Sequence, residues 1–241
     1  MIKLKNILPE RIYSPIRKFY DDKINPYYVK SYSQEGEDLI LNRILGEKKA
    51  GFYIDVGAHH PMRFSNTFFF YKRGWRGINI EARPGSKKLF DKIRSRDINV
   101  EVPISSEAKI LKYYMFNEPA LNGFSEEIVN SRNGLRDYKI IKVIDLHTKT
   151  LKRILDIHMN KNQHIDFMTI DVEGLDYDVL LSNDWGKYIP SIILIEDGKF
   201  NLHSMEKSKV YNYLIKKDYS LIAKTFNTLF FELKYNKLSN V

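Results

Sequence analysis

The stretch Phe52-Tyr53-Ile54-Asp55-Val56-Gly57 limits the folds open to this chain more than any other. Its aromatic and β-branched residues suit a strand buried on both faces. Gly57 breaks the run and lets the backbone turn tightly or approach something closely. A helical pattern opens near Ser65, and a second strand, Gly77-Ile78-Asn79-Ile80-Glu81, ends in another carboxylate. Strand, glycine turn, helix and acid-terminated strand predict a nucleotide-binding βαβ unit, in which the second acid holds a ribose diol.

The alternation continues downstream. Helices are expected after Gly36, from Ser86 through Ile93, from Leu151, from Leu175 and over 205–217. Strands are expected over 98–104, 109–116, 165–170 and 191–195, with a closing antiparallel pair at 219–223 and 228–231. Strands alternating with helices mean an α/β fold, doubly wound around a mostly parallel sheet. The polar stretch from Asn117 to Asp137 is expected to be a long substrate-side loop. Residues 1–32 read as an appendage and 33–241 as the main domain. In the appendage Ile2, Leu4, Ile7 and Leu8 are expected to form an apolar helix face, packed on the core, on a second copy as a homodimer contact, or peripherally on a membrane.

Composition excludes several chemistries. There is no cysteine, so disulfides, thiolate metal sites and cysteine nucleophiles are out, and a cytoplasmic setting is expected. No apolar run approaches the ~20 residues of a membrane helix, and Pro9, Glu10 and Arg11 interrupt any secretory pattern. The net charge of +9 is spread among acids, which favours a solvated surface over a nucleic-acid site.

Asp55, Glu81, Asp171, Glu173, Glu196 and Asp197 all fall at or near expected strand ends, the edge where open parallel sheets bind ligands. The turn after Asp55 lacks the repeated glycines that let a diphosphate press on the backbone. An acid before a single glycine suits a cationic, phosphate-free ligand. S-adenosyl-L-methionine fits, with Glu81 on its ribose.

The chain resembles the FkbM family of class I S-adenosylmethionine-dependent methyltransferases. The resemblance rests on Ser33-Gln34-Glu35-Gly36-Glu37-Asp38, Phe52 to Ala58, Phe64-Ser65-Asn66-Thr67, Gly74-Trp75-Arg76-Gly77 and Ile170-Asp171-Val172-Glu173-Gly174. It implies a seven-stranded, Rossmann-like sheet ending in an antiparallel pair. It also implies methylation of a hydroxyl on a small molecule or saccharide, such as a surface-polysaccharide precursor. By the same resemblance Gln34, Asp55, Gly57 and Ala58 would hold the methionine part and Glu81 the ribose. Ser105 and Ser106 would lie near the adenine, and Asp171 and Glu173 would flank the methyl. The family's asparagine after Asp-Val-Gly-Ala is His59 here, followed by His60 and Pro61.

A sugar hydroxyl must lose its proton as it attacks. His59, His60, Asp171 and Glu173 are the candidate catalytic bases, with a histidine favoured for its ordinary pKa near neutrality. A divalent metal held by a histidine with Asp171, Glu173 and Glu196 is the lesser alternative, since no compact ligand spacing exists and no metal is expected. The rival functions are a nucleic-acid methyltransferase, a nicotinamide oxidoreductase and a non-catalytic cofactor-binding module.

Overall fold

The computed structural model describes residues 8–25, 27–46 and 48–234. The chain divides into two compact units, 1–31 and 32–241. The first contains one described helix, α1 (Glu10–Lys23), which begins directly after Pro9. Most of the apolar face expected earlier, Ile2, Leu4 and Ile7, lies outside the described residues. Sequence patterning gave no helix at α1 itself. Among the described residues, no helix is long and apolar enough to cross a membrane.

The second unit has helices α2 (Glu37–Ile44), α3 (Phe68–Lys72), α4 (Ser86–Ile93), α5 (Glu126–Arg132), α6 (Leu151–His158), α7 (Asp176–Leu181) and α8 (Lys209–Ile215). Its strands are β1 (Phe52–Val56), β2 (Arg76–Glu81), β3 (Ile98–Glu101), β4 (Ile110–Phe116), β5 (Ile140–His147), β6 (Phe167–Ile170), β7 (Ile192–Glu196), β8 (Tyr219–Lys224) and β9 (Thr228–Leu233). Seven strands form one sheet in the order β3-β2-β1-β6-β7-β9-β8. The pairings from β3 to β7 are parallel, and those of β9 with β7 and β8 are antiparallel. This is the doubly wound, Rossmann-like sheet with a terminal antiparallel pair.

Each face of the sheet buries its own apolar cluster. Ile54, Val56, Ile80, Met168 and Ile193 pack with Leu155 of α6, Leu180 of α7 and Leu214 of α8. Tyr53, Phe167, Leu194 and Phe230 pack with Leu41 of α2 and Phe70 of α3. Burying one such side chain stabilises by ~1.5–3 kcal/mol. That packing, rather than propensity, holds helices of this unit that run only five to eight residues.

The acidic Ser33–Asp38 stretch is a clamp. Glu35 accepts hydrogen bonds from the backbone N–H and side-chain amide of Asn227, both at 3.0 Å. Glu37 accepts from Thr228 Oγ1 at 3.2 Å. The start of α2 is thereby fastened to the β8–β9 turn.

Two expectations change, and the extra strand expected over 109–116 finds its place. The segment from Asn117 to Asp137 is not one structureless loop: it contains a 3-10 turn, Pro119–Leu121, and α5. β4 does not join the main sheet, but pairs antiparallel with β5 in a separate two-stranded sheet. β5 went unread because Ile141 and Val143 are exposed, so its apolar residues do not alternate between a wet and a dry face. β3 ends at Glu101, and Ile104 makes only an isolated bridge to Lys149.

Candidate active site

Strand order reverses between β1 and β6, and an open parallel sheet leaves a crevice there at its carboxyl edge. The crevice encloses about 870 Å³, counting its open mouth. Gln34, Asp55, Gly57, Ala58, His59, Glu81, Asp171 and Glu173 line it. His60, Ser105 and Ser106 do not. Val102, Pro103 and Ile104 form the wall where the serines were expected, and the buried Ser105 hydroxyl is 3.5 Å from Asp178 Oδ2.

Gly57 makes the crevice geometrically feasible. Its φ is +87°, and a Cβ on it would stand 1.7 Å from the Asp171 carbonyl oxygen. The N–H groups of Gly57 and Ala58 both donate to Ile80 O, at 2.9 and 3.1 Å. The Asp171 N–H donates to Val56 O at 2.9 Å. The turn is therefore wedged between the ends of β2 and β6.

The acids of β1 and β2 are held differently. Asp55 Oδ2 accepts from Thr67 Oγ1 at 2.7 Å. Burial pushes the Asp55 pKa up to about 6, against the Thr67 bond and the Arg94 charge. The Glu81 carboxylate accepts from the N–H of His59 at 2.7 Å and of Arg83 at 2.8 Å. Burial raises its pKa, and those two N–H groups restrain the rise. Each Glu81 oxygen keeps acceptor capacity for a ligand hydroxyl.

His59, Phe64 and Glu173, all on the crevice wall, have left-handed backbones with φ of 50°, 55° and 55°. Residues with a Cβ seldom adopt this region, and a cluster of them marks a wall whose shape is imposed by its surroundings. His59 Nε2 is buried with no hydrogen-bond partner among the described residues. Burial, then the Arg83 and Arg63 charges, lower its pKa to about 4, so the ring is neutral at physiological pH. His60 is a turn residue: its Nδ1 accepts the N–H groups of Met62 and Arg63 at 3.1 and 3.0 Å. Its own proton therefore sits on Nε2, leaving no free lone pair for a base.

Asp171, Glu173 and Glu196 bring carboxylate oxygens within 4.8 Å of one another. Asp171 opens into the crevice yet is walled by protein, and burial followed by repulsion from Glu196 and Glu173 drives its pKa well up. Burial and Glu196 lift Glu173 to about 7, opposed by Arg132, whose Nη1 lies 2.7 Å from Glu173 Oε2. Three such carboxylates are competent divalent-cation ligands. Among the described residues no histidine completes the group, so the mixed imidazole–carboxylate set does not assemble.

Sequence reasoning missed the far wall. Tyr113 of β4, Asn122 and Phe124 close the crevice from the small sheet and the segment after it. Asn66 also lines it and donates to Thr169 Oγ1 at 2.9 Å. The weak alternation over 110–116 signalled a strand, but nothing local said that it returns over the crevice. Ion pairs fasten this wall to the main sheet's loops: Arg63 to Glu118 through two bonds of 2.9 and 3.2 Å, and Arg132 to Glu173.

The lining suits S-adenosyl-L-methionine. It offers carboxylates toward a sulfonium and an ammonium, an acid at the end of β2 for a ribose, and an apolar wall of Ile80, Val102 and Ile104 for a base. Among the described residues it includes no lysine or arginine to receive a diphosphate.

Comparison with known proteins gives a match to the methyltransferase FkbM domain over residues 55–221. No curated protein matches the chain. Among solved structures, a TehB-like SAM-dependent methyltransferase from Corynebacterium glutamicum aligns with a TM-score of 0.41 at 8% identity, covering 93% of this chain and 97% of that one. An O-methyltransferase from Bacillus cereus in complex with SAH aligns with a TM-score of 0.38 at 12% identity, covering 93% and 91%. Since the domain match spans most of its length, the chain belongs to the FkbM family of methyltransferases, and its methyl donor is S-adenosyl-L-methionine.

Proposed function

We propose that this methyltransferase O-methylates a hydroxyl of a sugar or surface-polysaccharide precursor, in the cytoplasm, with Glu173 as the general base. The observation that carries the reading is the placement of the Glu173 carboxylate on the crevice wall, its oxygens within 4.8 Å of those of Asp171 and Glu196, where burial and Glu196 lift its pKa to about 7. General-base efficiency is highest when the pKa lies near the working pH. His59 is held near 4 and His60 has its Nδ1 occupied, so neither histidine matches Glu173. The wall also combines aromatic faces (Phe64, Tyr113, Phe124) with side-chain amides (Asn66, Asn122), a lining suited to the C–H faces and hydroxyls of a sugar ring.

S-adenosyl-L-methionine supplies an activated methyl when bound. The chain's tasks are to align, to exclude water and to take one proton. In this reading Asp55, Gly57, Ala58 and Gln34 hold the amino-acid end and Glu81 the ribose diol. Asp171 would face the sulfonium. Glu173 would take the proton of the acceptor hydroxyl, whose oxygen would receive the methyl that the bound donor supplies, with S-adenosylhomocysteine as the other product.

Glu173→Gln is expected to lower kcat by ~10²–10⁴-fold while leaving S-adenosylhomocysteine binding intact. Wild-type turnover should fall as pH drops below about 7, because the base must be unprotonated, and the variant should lose that limb. An unchanged rate and profile in Glu173→Gln would move the role to His59. Asp55→Ala and Glu81→Ala should each weaken S-adenosylhomocysteine binding by ~10–100-fold in calorimetry, the scale of a lost hydrogen bond to a charged group. Transfer of labelled methyl across a panel of sugar nucleotides, oligosaccharides, RNA and DNA tests the acceptor. Labelling of nucleic acid with no labelled saccharide would overturn it.

A further inference from the structure

Helix α1 carries Ile12, Ile16, Phe19 and Tyr20 at i, i+4, i+7 and i+8, the spacing of a single apolar stripe. These side chains are 50%, 53%, 61% and 43% exposed. Just beyond the helix, Ile24 and Tyr27 are 56% and 92% exposed. Arg11, Arg17 and Lys18 lie outside it, and Arg17 donates to Asp21 at 2.8 Å. Over residues 1–31 seven basic side chains face three acidic ones, a net charge of +4.

We propose that the Ile12–Ile16–Phe19–Tyr20 face of α1 docks on an anionic bilayer surface. The partner is chosen by charge and by length. A helix with an apolar stripe and surplus positive charge lies in the headgroup plane, apolar side down, and is drawn there by anionic lipid. Tyr20 and Tyr27 present the amphipathic rings that settle at such a boundary. Pairing with a second copy fits less well. The fourteen residues of α1 make two heptads, short of the three or four that sustain a coiled coil, and two copies of residues 1–31 would bring +4 against +4. Docking would leave α1 on the surface rather than across it. It would hold the enzyme beside any acceptor that carries a lipid, so this proposal goes beyond the sugar reading and does not depend on it.

Flotation of the full chain with vesicles tests the assignment. The protein should float with vesicles of phosphatidylcholine containing roughly one-third phosphatidylglycerol, and about tenfold less with phosphatidylcholine alone. Raising sodium chloride from about 0.1 M to about 0.5 M should release it. Ile16→Glu with Phe19→Glu should abolish flotation while the melting shift given by S-adenosylhomocysteine is retained, which shows that the variant is folded and binds. Equal flotation with both vesicle types, or none with either, would overturn the proposal. So would a wild-type dimer that this double variant converts to a monomer without lipid, since the face would then lie between copies.

Discussion

Gly57→Ala is expected to destabilise the protein by ~2–5 kcal/mol and to abolish measurable S-adenosylhomocysteine binding. Two costs add. An alanine at φ +87° carries the left-handed penalty of ~1–2 kcal/mol. Its Cβ also lands 1.7 Å from the Asp171 carbonyl oxygen. A flexible side chain would swing away, but a backbone oxygen at the end of β6 moves only if the strand end moves with it. The gap between β1 and β6 that makes the crevice would then be pried open. Gly74→Ala is the control: its φ is +97°, but no heavy atom lies within 4 Å of the added Cβ. It should show the backbone penalty alone and keep ligand binding. Urea unfolding and calorimetry on both variants check the claim. Equal destabilisation in the two would mean that the approach of Gly57 to β6 is not tight.

Arg94→Leu is the second large effect, expected to cost ~3–5 kcal/mol. Arg94 and Asp97 have fully buried side chains and meet at 2.9 Å. Arg94 also donates to Tyr53 OH at 2.6 Å, to Thr67 Oγ1 at 3.0 Å and to Pro61 O at 3.1 Å. Removing the guanidinium leaves the Asp97 charge buried without a cation, although Tyr53, Gly77 and Asn79 still donate to it. It also withdraws two supports of the site: the hold on Thr67, which binds Asp55, and the hold on Pro61 in the turn after His60. S-adenosylhomocysteine binding should therefore weaken along with stability. Adding Asp97→Asn should recover part of the loss, because the uncompensated charge is then gone. A cost below ~1 kcal/mol, the worth of an exposed pair, would show that the cluster is not electrostatically strained by the change.

The fold was legible because strand and helix periods are local. Phe52 to Val56 and Gly77 to Glu81 are mostly aromatic and β-branched, which suits strands buried on both faces, and both appear in the main sheet. The acids that end them stood out for the same reason: a carboxylate in an apolar run needs a purpose. The structure adds a row that the pattern hid, since Asp55, Asn79 and Asn99 are register neighbours across β1, β2 and β3. Arg94, to which the sequence pattern assigned no role, joins that row, donating to Asn79 Oδ1 at 3.4 Å and accepting from Asn99 Nδ2 at its carbonyl, 3.2 Å away.

By itself, then, the sequence determined the alternating elements, the acid-terminated strands and the absence of a diphosphate-binding glycine turn, because each is written in residues a few positions apart. Only the tertiary structure decided which acids share a space, that His60 is spent on its own turn, that Val102 to Ile104 rather than the serines wall the crevice, and that β4 folds over it. Those outcomes turn on contacts between segments far apart in the chain, such as Arg63 with Glu118, 55 positions away, or Arg94 with Tyr53, 41 away. No period or propensity encodes such a pairing; it is settled when the two faces of the sheet close and each buried polar group must find a partner.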